Sequence, residues 1–161
     1  MLEFSQIPFL TDIQTQKNSM ADNIYKATIQ HAGNDFFIGT SPGGHAVIID
    51  TNGERKSAPT PMEMLLISVA ACSAPDVISI LEKKRQKVTD YKIEIEGTRR
   101  AEMPRAFIAF HVHHIVYGHD VSEQAVAQAI ELSDTKYCSV AATVRPTAKI
   151  TTSFEIIETG K

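Results

Sequence analysis

The residues of this chain with the clearest chemical potential are its two cysteines, Cys72 and Cys138. Neither has another cysteine or a histidine within five residues, and such close pairs are what zinc sites use. A metal site at the cysteines is therefore not expected. In a reducing compartment two free thiols are either small buried apolar groups or nucleophiles whose thiolate the protein stabilises. Both interpretations stay open at this point.

Three histidines lie close together in the segment FHVHHIV, at His111, His113 and His114. On a strand, His111 and His113 share one face, because side chains alternate with a period of two. Two ligands at this spacing make an incomplete metal site, so we expect surface or subunit contacts here and no metal. Pro42-Gly43-Gly44 lacks the spacing of a phosphate-binding loop. No cofactor is predicted.

Composition narrows the class of protein. The chain has 161 residues, of which 43% are hydrophobic and 22% charged, with a formal net charge of −3. A globular chain of this length can bury its own core without disulfide or metal staples. The acidic balance argues against nucleic-acid binding, which favours a basic surface. No membrane span or export signal is recognised, so we expect a cytoplasmic protein that does not bind membranes.

The first half of the chain contains three kinds of segment. Residues 1–22 show no regular period and are predicted to be an arm. Residues 25–50 contain short apolar runs separated by turn residues, which is typical of a β meander. Residues 62–84 form a long segment without glycine, apolar on nearly every face, which predicts a buried helix. Pro75 interrupts its hydrogen bonding opposite Ala71, so we expect a kink beside Cys72.

The second half alternates between strands and helices. Residues 88–100 and 105–118 read as two strands, a natural antiparallel pair. Asp120 and Glu123 match a capping box, so a helix is predicted from there to Ser133. A short helix follows Cys138, and a final strand follows Pro146. At a helix N-terminus the thiolate of Cys138 would be favoured by the dipole and by free N–H groups.

Two motifs carry a family resemblance. APTPMEMLLISVAACSAPDVISIL at residues 58–81 and ELSDTKYCSVAATV at residues 131–144, with the hairpin and helix between them, resemble the family of osmotically inducible protein C (OsmC) and organic hydroperoxide resistance (Ohr) proteins. The resemblance covers residues 24–158. It is strongest to a YhfA-like subgroup with the same Pro-Met-Glu-Met start.

The resemblance implies an α+β fold with antiparallel sheets and a long buried central helix, in an intertwined homodimer formed by a domain of residues 23–161. It also implies a reaction. Cys72 matches the peroxidatic cysteine, which attacks an organic hydroperoxide, and Cys138 matches the resolving cysteine, with a dithiol as the reductant. Met62, Leu65 and Ile67 would supply an apolar wall for the substrate.

The sequence departs from the peroxidase members of the family at two places. Met62 stands at the first glutamate of their helix start, and Glu63 matches the second, so Glu63 is the candidate catalytic carboxylate. Residues 25–50 contain no arginine, and the arginine that would activate Cys72 is unassigned. The candidates are Arg55, Arg99, Arg100 and Arg105. The alternative function is therefore a redox sensor or small-ligand-binding protein without peroxidase turnover.

Overall fold

The computed structural model describes residues 23–160. The arm predicted for residues 1–22 lies outside the described residues, as does Lys161. The chain divides between Ala58 and Pro59 into two compact units. Each unit is built around one three-stranded sheet.

The first unit is the predicted meander. Strands β1 (Thr28–Gly33), β2 (Phe36–Thr40) and β3 (Ala46–Asp50) pair antiparallel in sequence order. Asn34 and Asp35 form the first turn with φ of 48° and 64°, as a two-residue hairpin turn of the primed type requires. This turn lies one residue later than the Gly33-Asn34 signal indicated. At the end of β3, the buried Asp50 carboxylate pairs with the Arg55 guanidinium at 2.7 Å.

The second unit begins with the long helix α1 (Pro61–Lys83). Thr60 and Glu63 form a reciprocal capping box at its start, and the helix continues through Pro75. The expectation of a helix buried on all sides is wrong for the single chain. The other elements of the unit cover only one side of the helix. Its buried residues therefore form a single stripe with a spacing of four residues, which contains Val69, Ser73, Val77 and Leu81.

Helix α1 also corrects the expectation about membrane spans. Among the described residues, Pro61–Lys83 is long and apolar enough to cross a bilayer by length and composition. A core helix of a soluble protein meets the same criteria. The helix is thus more apolar than its burial within one chain accounts for.

The second sheet contains β4 (Lys87–Arg99), β5 (Phe107–His119) and β6 (Lys149–Glu158), with β5 in the centre. Strands β4 and β5 form the predicted antiparallel hairpin. Strand β6 runs parallel to β5, so the expectation of antiparallel sheets fails for this pair. After β5 the chain passes through two helices and returns to the end of the sheet where β5 begins. Such a crossover connection allows β6 to run parallel to β5.

The crossover consists of α2 (Glu123–Leu132), a π-helical segment (Ser133–Tyr137) and α3 (Ser139–Val144). Ser122 caps α2 by accepting from the Ala125 N–H, so the predicted capping role of Asp120 is wrong. Asp120 has a positive φ of 50° and its N–H donates to Glu158 from outside the helix.

The core of the second unit consists of two apolar clusters beside α1. One contains Val77, Leu81, Val116 and Val126, and the other contains Val69, Phe107, Phe110 and Val112, each with further neighbours. On the buried stripe of α1, Ser73 lies between Val69 of one cluster and Val77 of the other. The polar groups described next are found at this junction.

Candidate functional site

Two elements bring the cysteines together. Cys72 is half-buried on α1, and Cys138 is the N-cap of α3 with 4% of its surface exposed. Both are free thiols, and an interaction with the Cys72 side chain is one of the influences that raise the pKa of Cys138. The two sulfur atoms are therefore neighbours where α1 packs against α3.

The environment of Cys138 works in two directions. Its Sγ accepts a hydrogen bond from the Ala141 N–H at 3.3 Å, which favours the thiolate as the sequence predicted. Burial and then the interaction with Cys72 favour the neutral thiol, and together they raise the pKa of Cys138 to about 11. Desolvation therefore outweighs the helix N-terminus. At neutral pH Cys138 is a protonated thiol.

A small cavity of about 20 Å³ adjoins Cys138. This volume is room for about one water molecule. Apolar side chains form part of its wall, and the remaining lining residues are polar or small: Ser73, His114, Asp134, Cys138, Ala141 and Thr152. The cavity is thus a mostly apolar pocket in the core, with a thiol, an imidazole, a carboxylate and two hydroxyl groups among the side chains of its wall.

His114 is held on the inner face of β5. It is 1% exposed, and its Nδ1 lies 2.5 Å from the Tyr91 hydroxyl. Tyr91 reaches it diagonally from β4, because Ile93 is the residue directly opposite His114. Burial lowers the pKa of His114 to about 4, with a smaller contribution from His113. The imidazole is therefore neutral at pH 7.

The π-helical segment positions the remaining polar groups. The Ser133 hydroxyl donates to Asp76 and to the Ser73 carbonyl, which joins the segment to α1. The Cys138 N–H donates back to the Ser133 carbonyl at 2.9 Å. This bond closes the wide turn that delivers Cys138 to the cavity, and π-helical turns are frequent at functional sites.

Cys138 also borders an open groove on its outer side. Asp134, Lys136, Tyr137 and Arg145 are among the residues that line it. Arg145 donates to the Asp134 carboxylate at 2.7 Å and to its carbonyl at 2.9 Å. Arg145 thus lines the same groove as Cys138; it was not among the arginines predicted from the sequence to activate Cys72.

The comparisons with known proteins bear directly on this site. Residues 53–153 match the family model described as OsmC-like protein. The chain is 46% identical to the protein YhfA of Escherichia coli K12 over 121 residues, which is 75% of this chain and 90% of YhfA. The chain belongs to the OsmC family. The predicted resemblance, including its YhfA-like character, is confirmed.

Solved structures show the same OsmC fold. A hypothetical protein from Aquifex aeolicus superposes with a TM-score of 0.75 at 31% identity, over 85% of this chain and 98% of that one. An organic hydroperoxide resistance protein OsmC from Legionella pneumophila, also described as a predicted redox protein, gives 0.62 at 14% identity, over 82% and 98%. The α+β class is confirmed. Membership of the OsmC family points to a redox or peroxide-related role.

The carboxylate predicted for this OsmC-family site is at the start of α1. Glu63 accepts from the Thr60 N–H at 2.7 Å, and its own N–H donates to the Thr60 hydroxyl at 3.3 Å. Glu63 and Cys72 are nine residues apart, which is about 13 Å along a helix. Glu63 thus stabilises the first turn of the helix that carries Cys72.

Three of the four candidate arginines donate hydrogen bonds to other groups. Arg55 binds Asp50 through two nitrogens and also donates to the Asn34 carbonyl. Arg99 donates to the Arg105 carbonyl at 2.6 Å, and Arg100 donates to the Pro104 carbonyl. Arg99 and Arg105 also line an apolar groove.

Two of the three residues predicted to form an apolar wall line that groove. Met62 and Leu65 lie there with Phe107 and Phe110, whereas Ile67 is 57% exposed. The groove residues do not overlap with those of the Cys138 cavity. The apolar wall therefore belongs to a separate surface.

His111 and His113 share the outer face of β5, as predicted. Ser153 bridges them at 2.8 Å from each ring, and no cluster suited to a metal ion occurs among residues 23–160. Sequence reasoning did not single out His114 as a buried histidine. Its position one residue after His113 puts it on the opposite, core-facing side of the strand, and that signal was present in the sequence.

Proposed function

We propose that this OsmC-family protein is a cytoplasmic thiol peroxidase that reduces organic hydroperoxides, with Cys72 as the peroxidatic and Cys138 as the resolving cysteine. The observation that carries the proposal is the proximity of the two thiols, one half-buried on α1 and the other buried at α3, which interact electrostatically. The similarity to an organic hydroperoxide resistance protein of Legionella pneumophila supports the substrate class.

The reaction has three steps. The Cys72 thiolate attacks the O–O bond, which leaves a sulfenic acid on Cys72 and releases the alcohol after protonation. The Cys138 sulfur then attacks the Cys72 sulfur, forms the disulfide and releases water. A dithiol reductant restores both thiols by exchange. From the family resemblance, Glu63 at the start of α1 is the proposed catalytic carboxylate.

The raised pKa of Cys138 suits this cysteine to the second step. A resolving cysteine that stays protonated at neutral pH, as the raised pKa of Cys138 indicates, does not compete for the peroxide. Its nucleophilicity is needed only after Cys72 has been oxidised. This division of roles supports the assignment of Cys72 as the first nucleophile.

The alternative function is a redox sensor or a small-ligand-binding protein that does not turn over peroxide. A redox sensor would oxidise once at Cys72 and hold the disulfide, and a binding protein would use the apolar groove beside Met62 and Phe107. The absence of a glutamate at Met62 favours this alternative. Turnover separates the two functions.

The test is the intact mass of the reduced protein after one equivalent of cumene hydroperoxide, followed by steady-state peroxide consumption with dithiothreitol. We expect the wild type to lose two hydrogens, and Cys138→Ser to retain a sulfenic acid on Cys72 that dimedone traps. Serine keeps the cap on α3, because its hydroxyl also accepts from an N–H. Glu63→Gln keeps the capping box and tests the charge in the same assay.

Cys72→Ser is the matched control and should show no change of mass. An unmodified wild type would overturn both the peroxidase and the sensor. Oxidation of Cys72 to the disulfide with no continued consumption of peroxide would overturn the peroxidase and leave the sensor.

A further inference from the structure

His114 is an ionisable side chain on the wall of the Cys138 cavity that the proposed reaction does not use. Its Nδ1 is bound to the Tyr91 hydroxyl. Among the described residues its other ring nitrogen, Nε2, has no hydrogen-bond partner. The imidazole is thus fixed at one nitrogen and available at the other.

His114 and Cys138 lie on the wall of the same small cavity. Both residues line a space of about 20 Å³, which is room for about one water molecule. The imidazole and the thiol therefore border the same water-sized space. Proton transfer through one water is within the range of general acid–base catalysis.

We propose that His114, oriented by Tyr91, transfers the thiol proton of Cys138 through one water in the cavity during disulfide formation. The inference rests on the proposed function and identifies the group that performs its second step. His114 is the proton-transfer residue, and Tyr91 is a positioning residue that acts through it.

The step balances without any additional reactant. The Cys138 sulfur supplies the electron pair for the S–S bond and is oxidised, while the Cys72 sulfur is reduced as its S–O bond breaks. Hydroxide leaves from Cys72. The proton that Cys138 gives up passes by way of His114 to this hydroxide and forms water, so the imidazole ends the step as it began.

The protonation states fit this assignment. Cys138 is protonated at neutral pH and needs a base before it can attack, whereas His114 is neutral, and its imidazole can take up the proton transiently although burial makes it a weaker base than a solvated imidazole. Burial holds the pKa of Tyr91 well above its usual value, so the phenol stays uncharged. A neutral His–Tyr pair can remain in the core without a counter-ion.

The other titratable groups near this pocket are less suitable bases. Asp134 lines the same cavity, but its carboxylate is held by Arg145 at 2.7 Å. Asp76, from α1, accepts from Ser133. His113 is next to His114 on β5 but on the outer face, where it binds Ser153. His114 is therefore the base that the geometry offers to Cys138.

The test separates the two chemical steps in the full-length protein. Reduced protein is mixed with one equivalent of cumene hydroperoxide, and dimedone-trapped sulfenic acid and disulfide are quantified by mass against time. In His114→Gln we expect sulfenic acid to form at the wild-type rate and the disulfide to form about a hundredfold more slowly. His111→Gln, on the opposite face of the same strand, is the matched control and should equal the wild type.

A pH profile distinguishes proton transfer from a structural effect. Without His114, disulfide formation depends on the Cys138 thiolate, so its rate should rise about tenfold per pH unit toward the pKa of about 11. The wild-type rate should be nearly constant between about pH 6 and 8. Tyr91→Phe should slow the same step about tenfold, since the ring stays in place and loses only its orienting hydroxyl.

Disulfide formation at the wild-type rate in His114→Gln overturns the inference and leaves the proposed function intact. If that variant does not fold, a wild-type rate in Tyr91→Phe overturns it equally. A larger loss in Asp134→Asn than in His114→Gln would assign the proton transfer to Asp134. A wild-type protein in which Cys72 is never oxidised refutes the proposed function first, and this step with it.

Discussion

At the scale of single residues, the behaviour of Cys138 is decided by a competition. Its sulfur receives an N–H hydrogen bond at the start of α3, yet its side chain is almost completely removed from water. Removing a thiolate from water is more unfavourable in free energy than a single N–H hydrogen bond is favourable. The same sulfur would behave very differently on the surface of the same helix.

This competition predicts how stability depends on pH. The pKa of Cys138 is raised in the folded state, so the folded protein holds this proton more tightly than the unfolded chain does. The contribution is complete below the unfolded pKa of about 8.5 and is lost as pH rises toward about 11. Over that window we expect the free energy of unfolding to fall by about 2 to 3 kcal/mol.

Urea denaturation at pH 8, 9 and 10 measures this effect. Cys138→Ala is the control, because it removes the titrating thiol while tyrosines and lysines titrate as before. The pH-dependent loss should be smaller in that variant. Parallel curves for the two proteins would contradict the assigned pKa.

At the scale of elements, the hairpin of β4 and β5 depends on two glycines that allow close packing. At Gly97 an added Cβ would meet the Phe107 ring and, at 2.9 Å, Leu66 of α1. At Gly118 it would meet the Lys87 backbone carbonyl and, at 2.6 Å, Val121. The Phe107 ring beside Gly97 can rotate away, whereas the Lys87 backbone beside Gly118 can move only if the strand moves.

Gly118→Ala is therefore expected to lower the free energy of unfolding by about 1 to 3 kcal/mol, the usual cost of forcing a methyl group into a packed site. Gly53→Ala is the matched control, since an added Cβ there has nothing within 4 Å. Chemical denaturation of both variants provides the measurement. Equal midpoints would show that β4 and β5 can separate at little cost.

At the scale of the whole molecule, α1 has more apolar surface than its own chain covers. The side of α1 opposite its buried stripe is exposed and carries apolar residues such as Ile67, Ala71 and Pro75. The Ser68 hydroxyl among them donates to the Met64 carbonyl at 2.7 Å. A second copy of the chain is the partner that the family resemblance implies for this surface.

We therefore predict a homodimer, with a mass by light scattering of about twice the 17.7 kDa chain. Ile67→Asp should produce a monomer, because a buried unpaired carboxylate at a subunit contact is strongly unfavourable. Met103→Asp, which changes a side chain that is 84% exposed in the loop between β4 and β5, should remain dimeric. A wild-type monomer would contradict the prediction.

The sequence by itself determined the elements and the family. The β meander, the long helix and the antiparallel hairpin follow from apolar periods, turn residues and caps, which are properties of neighbouring residues. The motifs at residues 58–81 and 131–144 are equally local, and the family they indicated is confirmed. The errors at this level were small shifts, such as Ser122 in place of Asp120 as the cap of α2.

The tertiary structure alone decided which of these residues meet. The interaction between Cys72 and Cys138, the diagonal pairing of Tyr91 with His114 and the parallel direction of β6 each join segments far apart in the chain. Burial also depends on such packing, and it reversed the expectation for the Cys138 thiol. Local sequence specifies the backbone conformation and the face of an element on which a side chain lies. The distances between remote side chains, and their removal from water, arise only when distant segments pack together.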